Sequence, residues 1–480
     1  MAGKGNTIMV RFMLCVLQVI AIQNVSAQSW QQVGAFNFGI NHIYKDTSEN
    51  LLYVTGRAAF NGVDTIKGMF YYDGTTIYPL GYSRNGSGTS FGPVPLIQKY
   101  QGKILFGGAI NKIGNVDVNA LAVWDGQEWG KIDGLYNTPH PTDTTGTADC
   151  AIVKDDSLLY VSGLFLKAGA DTCYSIAYWN GSSWRGVRFF PIFNGDPWRV
   201  SRMAFYKGEL YVTGSFLVPL DGNMERDIAV HDGVNWHSVG GGMHGGWTSI
   251  YDMQVYKDEL YICGYFTTTD GNTGNMIMRW NGIEWRDVGG SFCGQSIVTD
   301  MIVYQDKLYM AGLFSCVGNG LSANSIAVWD GERWCNFGDN QVFDNKISCL
   351  AFLNDELYVG GGFTKIGNET IKYFAKYTGP LAETACTAVP VKDLQEIGSS
   401  IDVYPNPAGD VIFIKKMNTL NDAVSITDIS GKDVSALVTQ SSSAGNESIQ
   451  LNISRLPQGV YFLRLSGKYN RRYTSKFVKI

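Results

Sequence analysis

The sequence predicts an all-β protein: a seven-bladed β-propeller closed by its own N-terminal strand, followed by a small β-domain. Three observations predict it. The phrase Leu-Tyr-Val-x-Gly-x-Phe, or a close variant, recurs seven times. Its central glycines are Gly56, Gly108, Gly163, Gly214, Gly264, Gly312 and Gly361, spaced 52, 55, 51, 50, 48 and 49 residues apart. A second phrase, Ile-Ala-x-Trp-Asp-Gly-x-x-Trp-x-x-Val-Gly, follows each of the first six copies, as at Ile326, Trp329, Asp330, Gly331 and Trp334. The composition, with 57 glycines, 13% aromatic residues and 17% charged residues, suits short strands and tight turns.

Each copy divides into four strand-length pieces. The first alternates in polarity, as in residues 252–256, and the second is the Leu-Tyr-Val phrase. The third ends at Trp-Asp-Gly, and the fourth starts at Trp and ends at Val-Gly. Asp-Gly or Asn-Gly between alternating runs is the strongest short hairpin signal, because a type I′ turn needs positive φ at both central positions. Four antiparallel strands in about 50 residues, repeated around an axis, describe a propeller blade. The paired tryptophans recur blade by blade, as packing positions do. Copy seven stops at Gly379 without a fourth strand. Residues 30–34, Trp-Gln-Gln-Val-Gly, match the missing piece, so the N-terminal strand is expected to complete the last blade and remove the open edge.

The chain begins with the marks of a signal peptide over residues 1–27. Lys4 and Arg11 precede an apolar run over 12–22, and Val25-Ser26-Ala27 reads as a cleavage site. The propeller then spans 28–379, a linker 380–398 and a distinct C-terminal domain 399–480. No later run is long and apolar enough to span a bilayer as a helix, so no transmembrane segment is expected in the processed chain. The net charge of −5 gives no reason to expect nucleic acid as a partner.

The C-terminal segment carries ten Lys/Arg against six Asp/Glu, so it is basic where the rest is acidic. It opens with Val403-Tyr404-Pro405-Asn406-Pro407-Ala408. A strand-like run over 424–429 leads to Ser430-Gly431-Lys432, then Leu456-Pro457-Gln458-Gly459 precedes a second run, and Lys476-Phe477-Val478-Lys479-Ile480 closes the chain. These blocks resemble the C-terminal sorting domain of type IX (Por) secretion cargo of Bacteroidetes type. The resemblance implies an Ig-like β-sandwich read by the outer-membrane translocon, and a secreted or surface-attached product. The repeat itself resembles kelch and galactose-oxidase-like propellers in its period and its Gly and Trp positions. The paired glycines of the kelch motif occur only in part, as at Gly107-Gly108, so the fold is carried over and no activity is.

No nucleophile elbow, zinc-protease motif, P-loop or dinucleotide fingerprint is present. His231, His237 and His244 fall on separate pieces of one blade, and turn chemistry accounts for the Asn/Asp/Gly clusters, so no metal or cofactor is expected. Aligning the first strands places His42, Arg202, Asp252 and Asp300 near one mouth of the central channel, with Cys150 and Cys349 at the same level. Such a gathering of titratable groups is a candidate ligand site. Trp198 and Trp247, on the loops leading into these strands, are candidate ligand contacts by stacking. Two disulfides, Cys150–Cys173 and Cys293–Cys316, are expected because each pair brackets two strands that meet. The preferred function is binding of a glycan or a protein without catalysis. The alternative is a hydrolase or lyase acting on carbohydrate through Asp252 and Asp300.

Overall fold

A computed structural model describes residues 29–381 and 403–480, apart from loop segments of which the longest are 60–66, 85–93, 138–145 and 188–198. Two compact units are present, Met1–Thr387 and Ala388–Ile480. Among the described residues there is no α-helix, and no helix is long and apolar enough to cross a membrane.

Among its described residues the first unit contains seven four-stranded antiparallel sheets, numbered here in chain order. Their first strands are Ile40–Asp46, Leu96–Tyr100, Thr147–Lys154, Arg199–Tyr206, Ser249–Tyr256, Ile297–Tyr304 and Ile347–Leu353. Sheet 6 is representative: Ile297–Tyr304, Lys307–Leu313, Ile326–Trp329 and Trp334–Asn336 pair in that order. In sheet 7 the fourth place is taken by the N-terminal strand Trp30–Gln32, which pairs antiparallel with Phe374–Tyr377.

Local chemistry explains the turns. Asp330 Oδ1 accepts the backbone N–H groups of Glu332 (2.8 Å) and Arg333 (2.6 Å), and Gly331 takes φ +104°. Asp73, Asp125, Asn180, Asp232 and Asn281 make the same paired bonds in the other sheets. An Asp or Asn side chain thus replaces a missing backbone acceptor, which is why these residue types sit there. Across the hairpin, Trp329 and Trp334 face each other with ring centroids 5.1 Å apart.

The core lies in the seams between consecutive sheets. Tyr256, Tyr261 and Cys263 of sheet 5 pack against Met301, Leu308 and Met310 of sheet 6. Ile40, Leu52 and Phe70 of sheet 1 likewise pack against Cys349, Tyr358 and Phe374 of sheet 7. The fourth-strand tryptophans latch the seams. Trp129 donates its indole N–H to the Leu80 carbonyl (3.0 Å), Trp285 to Val239 (3.0 Å) and Trp334 to Val288 (2.8 Å), each in the preceding sheet. At the other end of the seam, the hydroxyls of Tyr100, Tyr206 and Tyr256 donate to the carbonyls of Ser157, Asp258 and Asp306 in the following sheet.

The expected Cys150–Cys173 disulfide is absent, and both residues are free thiols. Their separation in the fold is the reason. Cys150 lies opposite Ser162 and packs toward sheet 4, while Cys173 is buried in the seam between sheets 2 and 3. Cys316 is disulfide-bonded, and Cys293 lies outside the described residues.

In the second unit, one sheet pairs Val403–Tyr404, Val411–Lys415, Ser448–Asn452 and Thr439–Ser441 in that order. The other pairs Leu420–Asp428, Gly459–Gly467 and Arg472–Lys479. Ile412, Ile414, Ile449 and Leu451 of the first sheet share one core with Ile426, Leu463 and Phe477 of the second. The last strand is held by the segment before the second strand: Ala408 N–H donates to Val478 O (2.7 Å), and Ile480 N–H to Ala408 O (3.0 Å).

Candidate functional site

Six of the seven first strands carry a register irregularity at the same place. It falls between Ile40 and His42, Ala148 and Cys150, Val200 and Arg202, Ile250 and Asp252, Val298 and Asp300, and Ile347 and Cys349. An extra residue of this kind turns the strand and re-aims the side chain that follows. The residue after each bulge is the one that sequence alignment assigns to the channel. Sheet 2 is the exception, where Leu96 pairs with Gly107 and no bulge occurs.

The first strands of consecutive sheets pack side by side, and the first strand of sheet 7 packs against that of sheet 1. Side chains on them therefore meet across sheets. Asp252 Oδ2 accepts the N–H of Met301 (3.0 Å), and Asp300 Oδ2 accepts that of Leu350 (2.7 Å). Each carboxylate ties its own sheet to the next one, at the residue just past the neighbour's bulge. Arg202 donates from Nη1 to the Ser201 carbonyl (2.8 Å).

Water reaches part of His42, Arg202, Asp252 and Asp300, yet protein surrounds them, so their charges are poorly solvated. Burial, reinforced by Arg202, lowers the His42 pKa to about 4. Burial raises Asp252 to about 6, against the pull of Arg202 and of the Met253 and Met301 N–H groups. Asp300 is pushed well above the ordinary carboxylate range, first by burial and then by the Asp252 charge. Burial thus favours the neutral forms of His42, Asp252 and Asp300, most strongly for Asp300, whose ionisation the Asp252 charge also opposes. Burial raises the thiols of Cys263 and Cys349, helped by Asp252 and Asp300 at Cys263 and by Asp300 at Cys349, so they are poor nucleophiles.

A cleft of about 210 Å³ opens beside this cluster, lined by Pro95, Asp149, Arg199, Arg202, Ser249 and Tyr251 among others. Arg199 and Asp149 form its fixed wall through two parallel bonds, Nε to Oδ2 at 2.6 Å and Nη2 to Oδ1 at 2.8 Å. These wall residues escape sequence reasoning. Asp149 and Tyr251 are the extra residues of their bulges, and only strand pairing reveals a bulge. The volume suits a small polar group rather than a large apolar ligand.

Trp198 and Trp247 lie outside the described residues. His237 pairs with Asp232 (3.1 Å), whereas the backbone of His244 is bound by Asn272. Among the described residues no group of His, Cys, Asp and Glu has metal-binding geometry.

Residues 402–480 match the family described as the secretion system C-terminal sorting domain. No curated protein matches the chain. Among solved structures, the chain is similar to PorZ, a surface component of the type IX secretion system of Porphyromonas gingivalis. Identity is 13% and the TM-score 0.36, with 92% of this chain and 66% of that one covered. It is also similar to a polysaccharide lyase of family PL25, an ulvan lyase, at 16% identity and a TM-score of 0.38, covering 71% of this chain and 96% of that one. Drosophila Semaphorin 2a aligns at 9% identity and a TM-score of 0.34, covering 94% and 98%.

Proposed function

From a chain that ends in a type IX secretion sorting domain, and is therefore exported to the cell surface or the medium, we propose a seven-bladed propeller that binds a glycan or protein ligand at the cleft beside Arg202. The seven sheets close into a ring, with Trp30–Gln32 completing the last blade. The packed seam between sheets 7 and 1 supports this. A signal peptide over 1–27 takes the chain across the inner membrane. The sorting domain, an Ig-like sandwich spanning 399–480, engages the translocon.

The observation that carries the binding reading is the juxtaposition of Arg202 with a polar cleft of ligand-fragment size. The guanidinium is the charge that a ligand carboxylate, sulfate or hydroxyl would meet. Trp198 and Trp247 belong to the loops leading into the same strand ends and would add stacking contacts. Asp252 and Asp300 serve as ties between neighbouring blades, since each accepts a backbone N–H from the next sheet.

Glycan-array and surface-extract binding by the exported chain tests this. Arg202→Ala is expected to weaken the bound signal by tenfold or more, on the order of the 1.5–3 kcal/mol of a charged hydrogen bond. A signal that survives the substitution unchanged sinks the assignment of the cleft.

One observation favours a second reading. Asp252 and Asp300 are two interacting carboxyls, both raised by burial and Asp300 also by the Asp252 charge, and acid–base cleavage of a glycosidic bond uses a pair of carboxyls with separated acidities. Release of reducing ends from polysaccharide, lost in both Asp252→Asn and Asp300→Asn, would replace binding with catalysis.

A further inference from the structure

The second residue of the Leu-Tyr-Val phrase is tyrosine in six sheets, at Tyr53, Tyr160, Tyr211, Tyr261, Tyr309 and Tyr358. In sheet 2 it is Leu105. Between sheets 4 and 5, the Tyr211 ring lies edge-on to Tyr206 with centroids 5.6 Å apart. Its hydroxyl accepts the indole N–H of Trp280 at 3.3 Å. The same positions between sheets 2 and 3 hold Tyr100, Leu105 and Trp179. The registers agree, for Leu105 lies opposite Val123 as Tyr211 lies opposite Val230.

Leucine has neither the length nor the hydroxyl of tyrosine. A groove of about 300 Å³ opens at this seam, walled by Tyr100, Leu105, Val123 and Trp179. Trp179 is half-buried, and among the described residues its indole N–H has no protein acceptor. The exposed side chains of Gln101, Lys103, Asp125, Glu128 and Lys131 stand at the rim. No residue of this groove belongs to the cleft beside Arg202.

We propose that this groove is a second ligand site, for a saccharide of one or two rings. A sugar offers an apolar C–H face to the indole and tyrosyl walls. Its hydroxyls can accept from the Trp179 N–H, as Tyr211 does for Trp280, and can exchange hydrogen bonds with the ammonium, carboxylate and amide groups of the rim. An aromatic side chain would fill the same walls but strip water from the charged rim without replacing its hydrogen bonds. The volume, at the lower end for ligand pockets, limits the occupant to a small glycan unit or chain end.

Saturation-transfer NMR and calorimetric titration of the full chain test the proposal. The probes are methyl β-D-glucopyranoside, methyl α-D-mannopyranoside, maltose, cellobiose and N-acetyltyrosinamide. At least one saccharide is expected to bind. Leu105→Tyr restores the repeat and fills the groove, and is expected to weaken that binding by about tenfold or more while leaving the melting temperature equal or higher. Trp179→Phe keeps a ring but removes the N–H, and is expected to weaken it as well. Arg202→Ala is expected to leave it unchanged, so failure of this site and failure of the channel cleft are read separately. Absence of binding by all four saccharides, binding that Leu105→Tyr does not alter, or binding of N-acetyltyrosinamide alone overturns the proposal, the last in favour of an aromatic peptide.

Discussion

Burial and the Asp252 charge favour the neutral form of the Asp300 carboxyl, and its protonation is linked to folding. Its pKa in the folded chain lies well above the ordinary value. The folded state therefore holds a proton that the unfolded state has lost, and stability falls as pH rises above the unfolded pKa of about 3.9. Asn has the same shape and no charge. The melting temperature of Asp300→Asn minus that of the parent is expected to increase from pH 4 to pH 7, measured by thermal unfolding. A difference that stays flat would show that Asp300 titrates normally. Gly289 is constrained in another way. It sits at φ +60°, and a Cβ there would lie 2.5 Å from the Trp329 ring. Gly289→Ala combines backbone strain with overpacking and is expected to cost about 2–3 kcal/mol in urea unfolding.

At the scale of the element, the N-terminal strand is short but heavily anchored. Trp30 is 3% exposed and packs with Phe343 at 5.2 Å and Tyr377 at 5.0 Å between ring centroids. Three residues cannot hold their place by ladder bonds alone, so the indole anchors the strand together with Gln32, whose Nε2 donates to the carbonyls of Lys372 (2.7 Å) and Phe374 (3.2 Å). Trp30→Ala is expected to cost about 3–5 kcal/mol, seen as a lower denaturant midpoint. The missing fourth strand of copy seven and the match at residues 30–34 make this pairing legible in the sequence itself. The bulges were not legible. Residue order is the same in a bulged and a regular strand, and the difference lies in which partner each N–H finds. Sequence alignment could therefore bring His42, Arg202, Asp252 and Asp300 to one level, but not Asp149, Arg199 and Tyr251 to the cleft beside them. The 23-residue spacing of Cys150 and Cys173 misled for a related reason, since closeness along two strands says nothing about which seam each side chain enters.

For the whole molecule, the sorting domain determines destination. Deletion of residues 402–480 is expected to leave the seven-sheet first unit folded and inside the cell envelope, with the parent chain outside. Immunoblots of culture medium, cell surface and periplasm check this. Equal export of the truncated chain would mean that another segment carries the signal.

Sequence alone determined the β modules, their number, the places of their turns and the sorting domain, whereas the expected type I′ conformation is replaced by a four-residue loop with positive φ at the glycine alone. All of these rest on residue types recurring at short range: Asp or Asn where a turn needs a side-chain acceptor, Gly after it where the backbone needs positive φ, and Trp where the next seam needs filling. Tertiary structure alone decided which charges are poorly solvated, which thiols stay free, and where a missing phenol leaves space. The physical reason is that desolvation and packing depend on atoms contributed by neighbouring sheets about 50 residues away. Leu105 is visible in the sequence as an exception to its repeat, but it becomes a groove only when Trp179 of the next sheet forms the opposite wall.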